Sequence, residues 1–165
     1  SSSHTAGAAS IALMARKMFG CPVLKADFTL YGSFAKTYRG HGTDRALLGG
    51  IMGFSTDDKR IPDSFSIARE RGIEFSFTPN EIETEVHPNT VDIAMTGSSG
   101  RRMTVRGESL GGGKIRITRI NQAEVDFRRV QHADRDSEGQ AGRYRPHYGV
   151  PQQSQRKHCL FEAVS

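Results

Sequence analysis

Cysteine is scarce in this sequence: its 165 residues contain only Cys21 and Cys159. Two cysteines exclude a disulfide framework and a four-cysteine metal site, and a reducing cytoplasm becomes the default compartment. Long apolar runs are also lacking. No stretch approaches ~18 consecutive apolar residues, which excludes a membrane-spanning helix. No basic segment followed by an apolar one opens the chain, so no secretory signal is expected. The first residue is Ser1 rather than Met, which points to a fragment or a processed product. The length suits one domain, or one domain with an appendage. Hydrophobic residues make up 36% and charged residues 25%, enough for a core, while a mean hydropathy of −0.52 warns that part of the chain stays outside it.

Charge is uneven. The formal total is +5, and residues 128–165 hold seven Lys/Arg against four Asp/Glu, leaving only +2 for the first 127 residues. The pI of about 9.5 therefore reflects the C-terminal stretch more than the body. No stripe of aromatic and basic residues is present, and no nucleic-acid partner is expected. Five of the six Gln (131, 140, 152, 153, 155) lie beyond residue 128, and apolar periodicity stops there too. The expected division is a folded domain over residues 1–129 and an aberrant, disordered tail over 130–165.

Within the domain, Ala8, Ile11, Met14, Ala15 and Met18 recur at helical spacing. Ser3 or Thr5 is the expected N-cap, and Gly20 with Pro22 the stop. Ala26, Phe28 and Leu30 alternate as a strand. Thr43 or Asp44 should cap a second helix through Ala46, Leu47, Ile51 and Met52. Gly49 and Gly50 weaken that helix unless another backbone packs closely on it. Ile61-Pro62 opens a third helix that stops at Gly72. Strand patterns then dominate: Ile73, Phe75 and Phe77, with Pro79-Asn80 as a turn; Val91, Ile93 and Met95; Met103 and Val105; Ile115 and Ile117; Val125 and Phe127. The resulting expectation is an α+β fold, with early helices packed on a mostly antiparallel sheet.

Three of the six histidines lie in the body, each in polar surroundings: His4 in Ser1-Ser2-Ser3-His4-Thr5, His41 in Gly40-His41-Gly42-Thr43-Asp44, and His87 in Val86-His87-Pro88-Asn89-Thr90. Two of them directly precede predicted helices. Backbone N–H groups at a helix start attract a carboxylate, hydroxyls add donors, and an imidazole moves protons near neutral pH. On spacing alone, the same Ser, Thr and Asp read more readily as ordinary helix caps, and His41 as a solvated loop residue. The Gly111–Gly113 run lacks the context of a phosphate loop and reads as a turn between strands. Gly32-Ser33 lacks the flanking pattern of a nucleophile elbow, and Cys21 beside Pro22 reads as a small apolar packing residue.

Taken in order, Ser1-Ser2-Ser3-His4-Thr5-Ala6-Gly7, Tyr31-Gly32-Ser33-Phe34-Ala35-Lys36-Thr37, Gly40-His41-Gly42-Thr43-Asp44, His87-Pro88-Asn89-Thr90 and Leu110-Gly111-Gly112-Gly113-Lys114-Ile115 resemble the β chain, or β domain, of the iron–sulfur-dependent L-serine dehydratases. The resemblance covers residues 1 to about 127. It implies an α+β domain similar to the small-molecule-binding, allosteric-substrate-binding-like domain of some phosphoglycerate dehydrogenases. It also implies conversion of L-serine to pyruvate and ammonia. The [4Fe–4S] cluster would be held by the cysteines of an α subunit, its open iron acting as a Lewis acid on the substrate hydroxyl. Two cysteines cannot hold that cluster, so this chain is expected to be inactive alone and to hold no metal. Carried onto this sequence, His41 becomes the acid/base or orienting residue. Ser3, His4 and Thr5 hold the serine carboxylate or seal the interface, Gly42 is counted with them among the substrate-binding residues, and Thr43 and Asp44 join that set while fixing His41. His87 and Asn89 lie behind the site or at its interface. A β–β contact remains open.

The family pattern has an extended segment before the serines that is absent from this sequence, which reads as N-terminally truncated. In the family an ACT-like domain follows the β domain. Reading the implied codons one base forward from about Gly139 can restore helix-and-strand text of that kind, which suggests a frameshift near residues 135–139. The competing reading is a basic, Gln-rich arm with a partner of its own. For the domain itself, the reading that competes with an enzyme subunit is a non-catalytic module that binds serine or an anion and regulates another enzyme.

Overall fold

The structure, a computed structural model, describes residues 2–130, with side chains from His4 onward. Helix α1 (Ser2–Phe19) is followed by strand β1 (Val23–Tyr31) and helices α2 (Gly32–Thr37) and α3 (Thr43–Ile51). A 3₁₀ turn (Ile61–Asp63) leads into α4 (Ser64–Glu70). Five strands complete the domain: β2 (Glu74–Asn80), β3 (Thr90–Gly97), β4 (Arg102–Gly111), β5 (Lys114–Ile120) and β6 (Ala123–Val130). The expected α+β architecture is present. The strands form one six-stranded sheet in the order β2-β1-β3-β4-β5-β6, antiparallel except for the β1–β2 pair.

That parallel pair follows from connectivity. Three helices separate β1 from β2, and a crossover of this length returns a strand parallel to its neighbour. The expected Pro79-Asn80 turn is instead the end of β2, paired with Leu30 and Tyr31. Pro79 is tolerated because β2 is an edge strand, where a missing ladder donor matters least.

Helix α1 lies across β4 and β5 and against α3. Its Ala8, Ala9, Ile11, Ala12, Ala15 and Phe19 are wholly buried over Phe28, Leu30, Val91, Ile93, Met95, Val105, Ile115 and Ile117 of the sheet. Two glycines set these distances. A Cβ on Gly50 would lie 2.6 Å from both the Ala12 Cβ and the Ala9 carbonyl oxygen, and one on Gly107 would collide with Ile11. The close approach that Gly50 requires in a helix is therefore made by α1. Burying this apolar face contributes on the order of 25 cal/mol per Å².

Two expected caps are corrected. Ser3 and Thr5 lie inside α1, which begins at Ser2. Their low helix propensity is overridden because the first turn packs on its neighbours, with His4 against Phe34. The residue preceding α3 is Gly42, left-handed at φ 72°, and no side chain caps that helix. Helix α2 was not expected as a helix at all.

The polar face of the sheet is opposite the helices. Register places Thr29, Asp92 and Arg106 side by side across β1, β3 and β4. Among the described residues, no helix is long and apolar enough to cross a membrane. The expectations for the tail, including the frameshift, lie outside the described residues.

Candidate functional site

Five segments meet at one end of the sheet. The first turn of α1 brings His4, whose Nε2 lies 3.0 Å from Ser33 Oγ at the start of α2. The His4 ring stacks on His41, with centroids 5.3 Å apart and planes 22° from parallel, and tilts against Phe34 at 5.6 Å. His41 itself is exposed and sits just before α3. Its backbone N–H donates to the Thr37 carbonyl at 3.0 Å, so the α2–α3 loop is closed beneath it.

The His87–Asn89 segment, which leads into β3, reaches the same end through its backbone. Pro88 O accepts from Phe34 N–H at 3.3 Å. A Cβ on Gly32 would come within 2.6 Å of that carbonyl oxygen, and Gly32 holds φ +52°. Only glycine combines that conformation with that approach. His87 Nδ1 accepts the Asn89 N–H at 3.1 Å, which places the proton of the neutral ring on Nε2. Thr90 Oγ1 donates to the His87 carbonyl at 2.6 Å, and Asn89 O accepts from Ser109 N–H at 2.9 Å near the end of β4. Ser109 in turn fills the space above Gly7 of α1, where a Cβ would collide with its side chain.

Two buried polar atoms at this end have no hydrogen-bond partner: Thr43 Oγ1, on a fully buried residue in the first turn of α3, and Asn89 Oδ1. Such atoms carry a desolvation cost until something meets them. The expected bracing of His41 by Thr43 and Asp44 is corrected by the same geometry. The Asp44 Oδ1 accepts the Arg45 N–H at 2.8 Å, and burial pushes its carboxyl above the ordinary carboxylate value. His41 is instead held by the His4 stack. Burial and then the neighbouring His41 hold the His4 imidazole below its ordinary value.

The structure thus brings His4, His41, Gly42 and Thr43 together. Thr5 lies beside them, its methyl 3.9 Å from where a Gly42 Cβ would be. His87 and Asn89 approach through backbone packing, and the Ser3 side chain lies outside the described atoms. Sequence reasoning missed Ser33 and Ser109. Ser33 stands in a quoted motif but was weighed only as a nucleophile, whereas its partner is a histidine 29 residues away. Ser109 had no local signal.

A family model described as "Serine dehydratase beta chain" matches residues 1–119. The chain belongs to the serine dehydratase beta chain family. It is 45% identical over 128 residues to "L-serine dehydratase, beta chain" of Peptoniphilus asaccharolyticus, covering 78% of this chain and 58% of that one. It is 46% identical over 125 residues to "Probable L-serine dehydratase, beta chain" of Bacillus subtilis (strain 168), covering 76% and 56%. The chain therefore spans a little over half the length of these curated relatives. The matched region of the serine dehydratase beta chain model contains every residue of the site described above.

Proposed function

We propose that this chain is the β subunit of a cytoplasmic, iron–sulfur-dependent L-serine dehydratase that converts L-serine to pyruvate and ammonia. The observation that carries this reading is the convergence of five sequence-distant segments on one end of the sheet, with a pair of stacked imidazoles and two buried polar atoms left without partners. Membership in a family named for this reaction supports it.

The reaction removes an α-proton and a hydroxyl from serine. It needs a group that moves a proton near neutral pH and donors that hold a carboxylate. His41, exposed and resting on His4, is assigned the proton-handling or orienting work. Ser3, His4 and Thr5 are assigned to the substrate carboxylate or the subunit seam. Gly42 and Thr43 offer the start of α3, where backbone N–H groups favour an anion. Asn89 offers a carboxamide oxygen and His87 holds the loop that carries it. Asp44, turned to its own helix, shapes that helix start.

The donors of this chain do not suit an iron–sulfur cluster. The sequence has two cysteines, the Cys21 sulfur is buried with Arg101 Nη1 at 3.4 Å, and the described residues contain no group of three His, Cys, Asp or Glu able to hold a metal. In this reading the [4Fe–4S] cluster resides on an α subunit. Anaerobic co-expression with a cysteine-bearing α chain, followed by a pyruvate assay with L-serine, tests it. The pair should produce pyruvate, and His41→Ala should lower kcat by about 100-fold or more, the range for losing an acid/base group. A kcat near that of the unmodified pair refutes the role of His41.

A further inference from the structure

We infer that Arg106, on the opposite face of the sheet from the histidines, is a positioning residue that tethers the 81–89 loop and so sets where His87, Pro88 and Asn89 stand. It is buried, and four hydrogen bonds hold its guanidinium. Nε donates to Asp92 Oδ1 at 2.7 Å, and Nη2 donates to Asp92 Oδ2 at 2.9 Å and to the Tyr31 hydroxyl at 3.0 Å. Nη1 reaches Glu83 Oε1 at 3.3 Å, and the guanidinium carbon sits over the Tyr31 ring, 4.9 Å from its centre. Tyr31 donates its own proton to Asp92 Oδ2 at 2.6 Å.

What makes this more than an internal ion pair is what each partner leads to. Tyr31 is followed by Gly32 and Ser33, the residue that meets His4. Asp92 lies in β3, two residues beyond Thr90 and three beyond Asn89. Arg106 itself lies three residues before Ser109, which holds the Asn89 carbonyl. Glu83 belongs to the loop between β2 and β3. That loop is pinned at its start by Asn80, whose Oδ1 accepts the N–H groups of Ile82 and Glu83 at 3.0 and 3.1 Å, and at its end by the His87–Asn89 contacts. Glu83, whose backbone Asn80 holds, also reaches back to the sheet through its carboxylate, and Arg106 receives it. Charge-assisted, forked contacts fix direction as well as distance, which a lysine at this position would not do.

The inference rests on the functional reading above only for its activity readout. The decisive variant is Glu83→Gln, because Glu83 is exposed and its loss should hardly affect folding. In the full chain, hydrogen exchange at the Val86, His87 and Asn89 amides should quicken about tenfold in Glu83→Gln and at least as much in Arg106→Lys, while the Tm of Glu83→Gln moves by less than about 2 °C. In the pair assembled with the α chain, both variants should raise KM for L-serine more than they lower kcat, the mark of misplaced binding groups. Unchanged exchange in both variants overturns the tether, whatever the assembled pair does. Faster exchange with unaltered kinetics overturns the positioning role. An unmodified pair that makes no pyruvate overturns the functional reading instead, and the exchange measurement then decides the tether alone.

Discussion

At the scale of single residues, the stacked pair His4–His41 dominates. Burial first, and then the neighbouring His41 ring with its centroid 5.3 Å away, hold the His4 imidazole below its ordinary value. Its folded-state value lies below 6.5, so the unfolded chain binds the proton first as pH falls. The stability linked to His4 is therefore complete above about pH 6.5 and is lost as the pH drops through the lowered folded value. Urea unfolding at pH 7.5 and 5.5 should show the loss, and His4→Asn should flatten the difference. An NMR titration should place the His4 midpoint below 6.5; a midpoint at or above it contradicts the stack. Ser33→Ala should change the nitrogen shift of His4 Nε2, because it removes the hydroxyl 3.0 Å away. Much of this scale was legible in the sequence: the three polar histidine motifs drew attention to His4, His41 and His87. The His4–Ser33 contact was not, because spacing along the chain carries no record of which loop a tertiary fold brings alongside.

At the scale of elements, glycine decides the packing. Alanine is favoured over glycine within a helix by about 1 kcal/mol. Gly50→Ala should nevertheless destabilise the domain by about 1–3 kcal/mol in urea melts, since its methyl would enter the Ala9 and Ala12 backbone and side chain of α1. Gly32→Ala should do at least as much harm, being strained at φ +52° and pressed on Pro88. A neutral result for either would contradict the packing described. The alternating strands and the α1 face could be read from periodicity, because burial imposes a period of two or 3.6 on apolar residues. Helix α2 could not, because its six residues are too few to show a period. The start of α1 was missed for a different reason: Ser3 and Thr5, which favour a cap in isolation, flank His4, whose ring packs on Phe34 and His41 and holds the first turn helical.

At the scale of the whole molecule, the helices cover one face of the sheet and the functional segments gather at one end. The polar face beneath, organised by Arg106, ties those segments together. Its key pair, Asp92 with Arg106, was invisible in the sequence, because two charged residues 14 apart become neighbours only when the register of β3 and β4 is known. In the proposed reading, the histidines and the start of α3 at that end supply proton handling and anion binding, and the described residues contain no group of three His, Cys, Asp or Glu able to hold a metal. The proposed function therefore assigns catalysis to an assembly of this chain with a second one. The most direct measurement is a pyruvate assay with L-serine on the purified chain, beside the same chain assembled anaerobically with an iron–sulfur-bearing α chain. The account predicts no pyruvate from the chain alone and sustained turnover from the pair; turnover by the chain alone would contradict it.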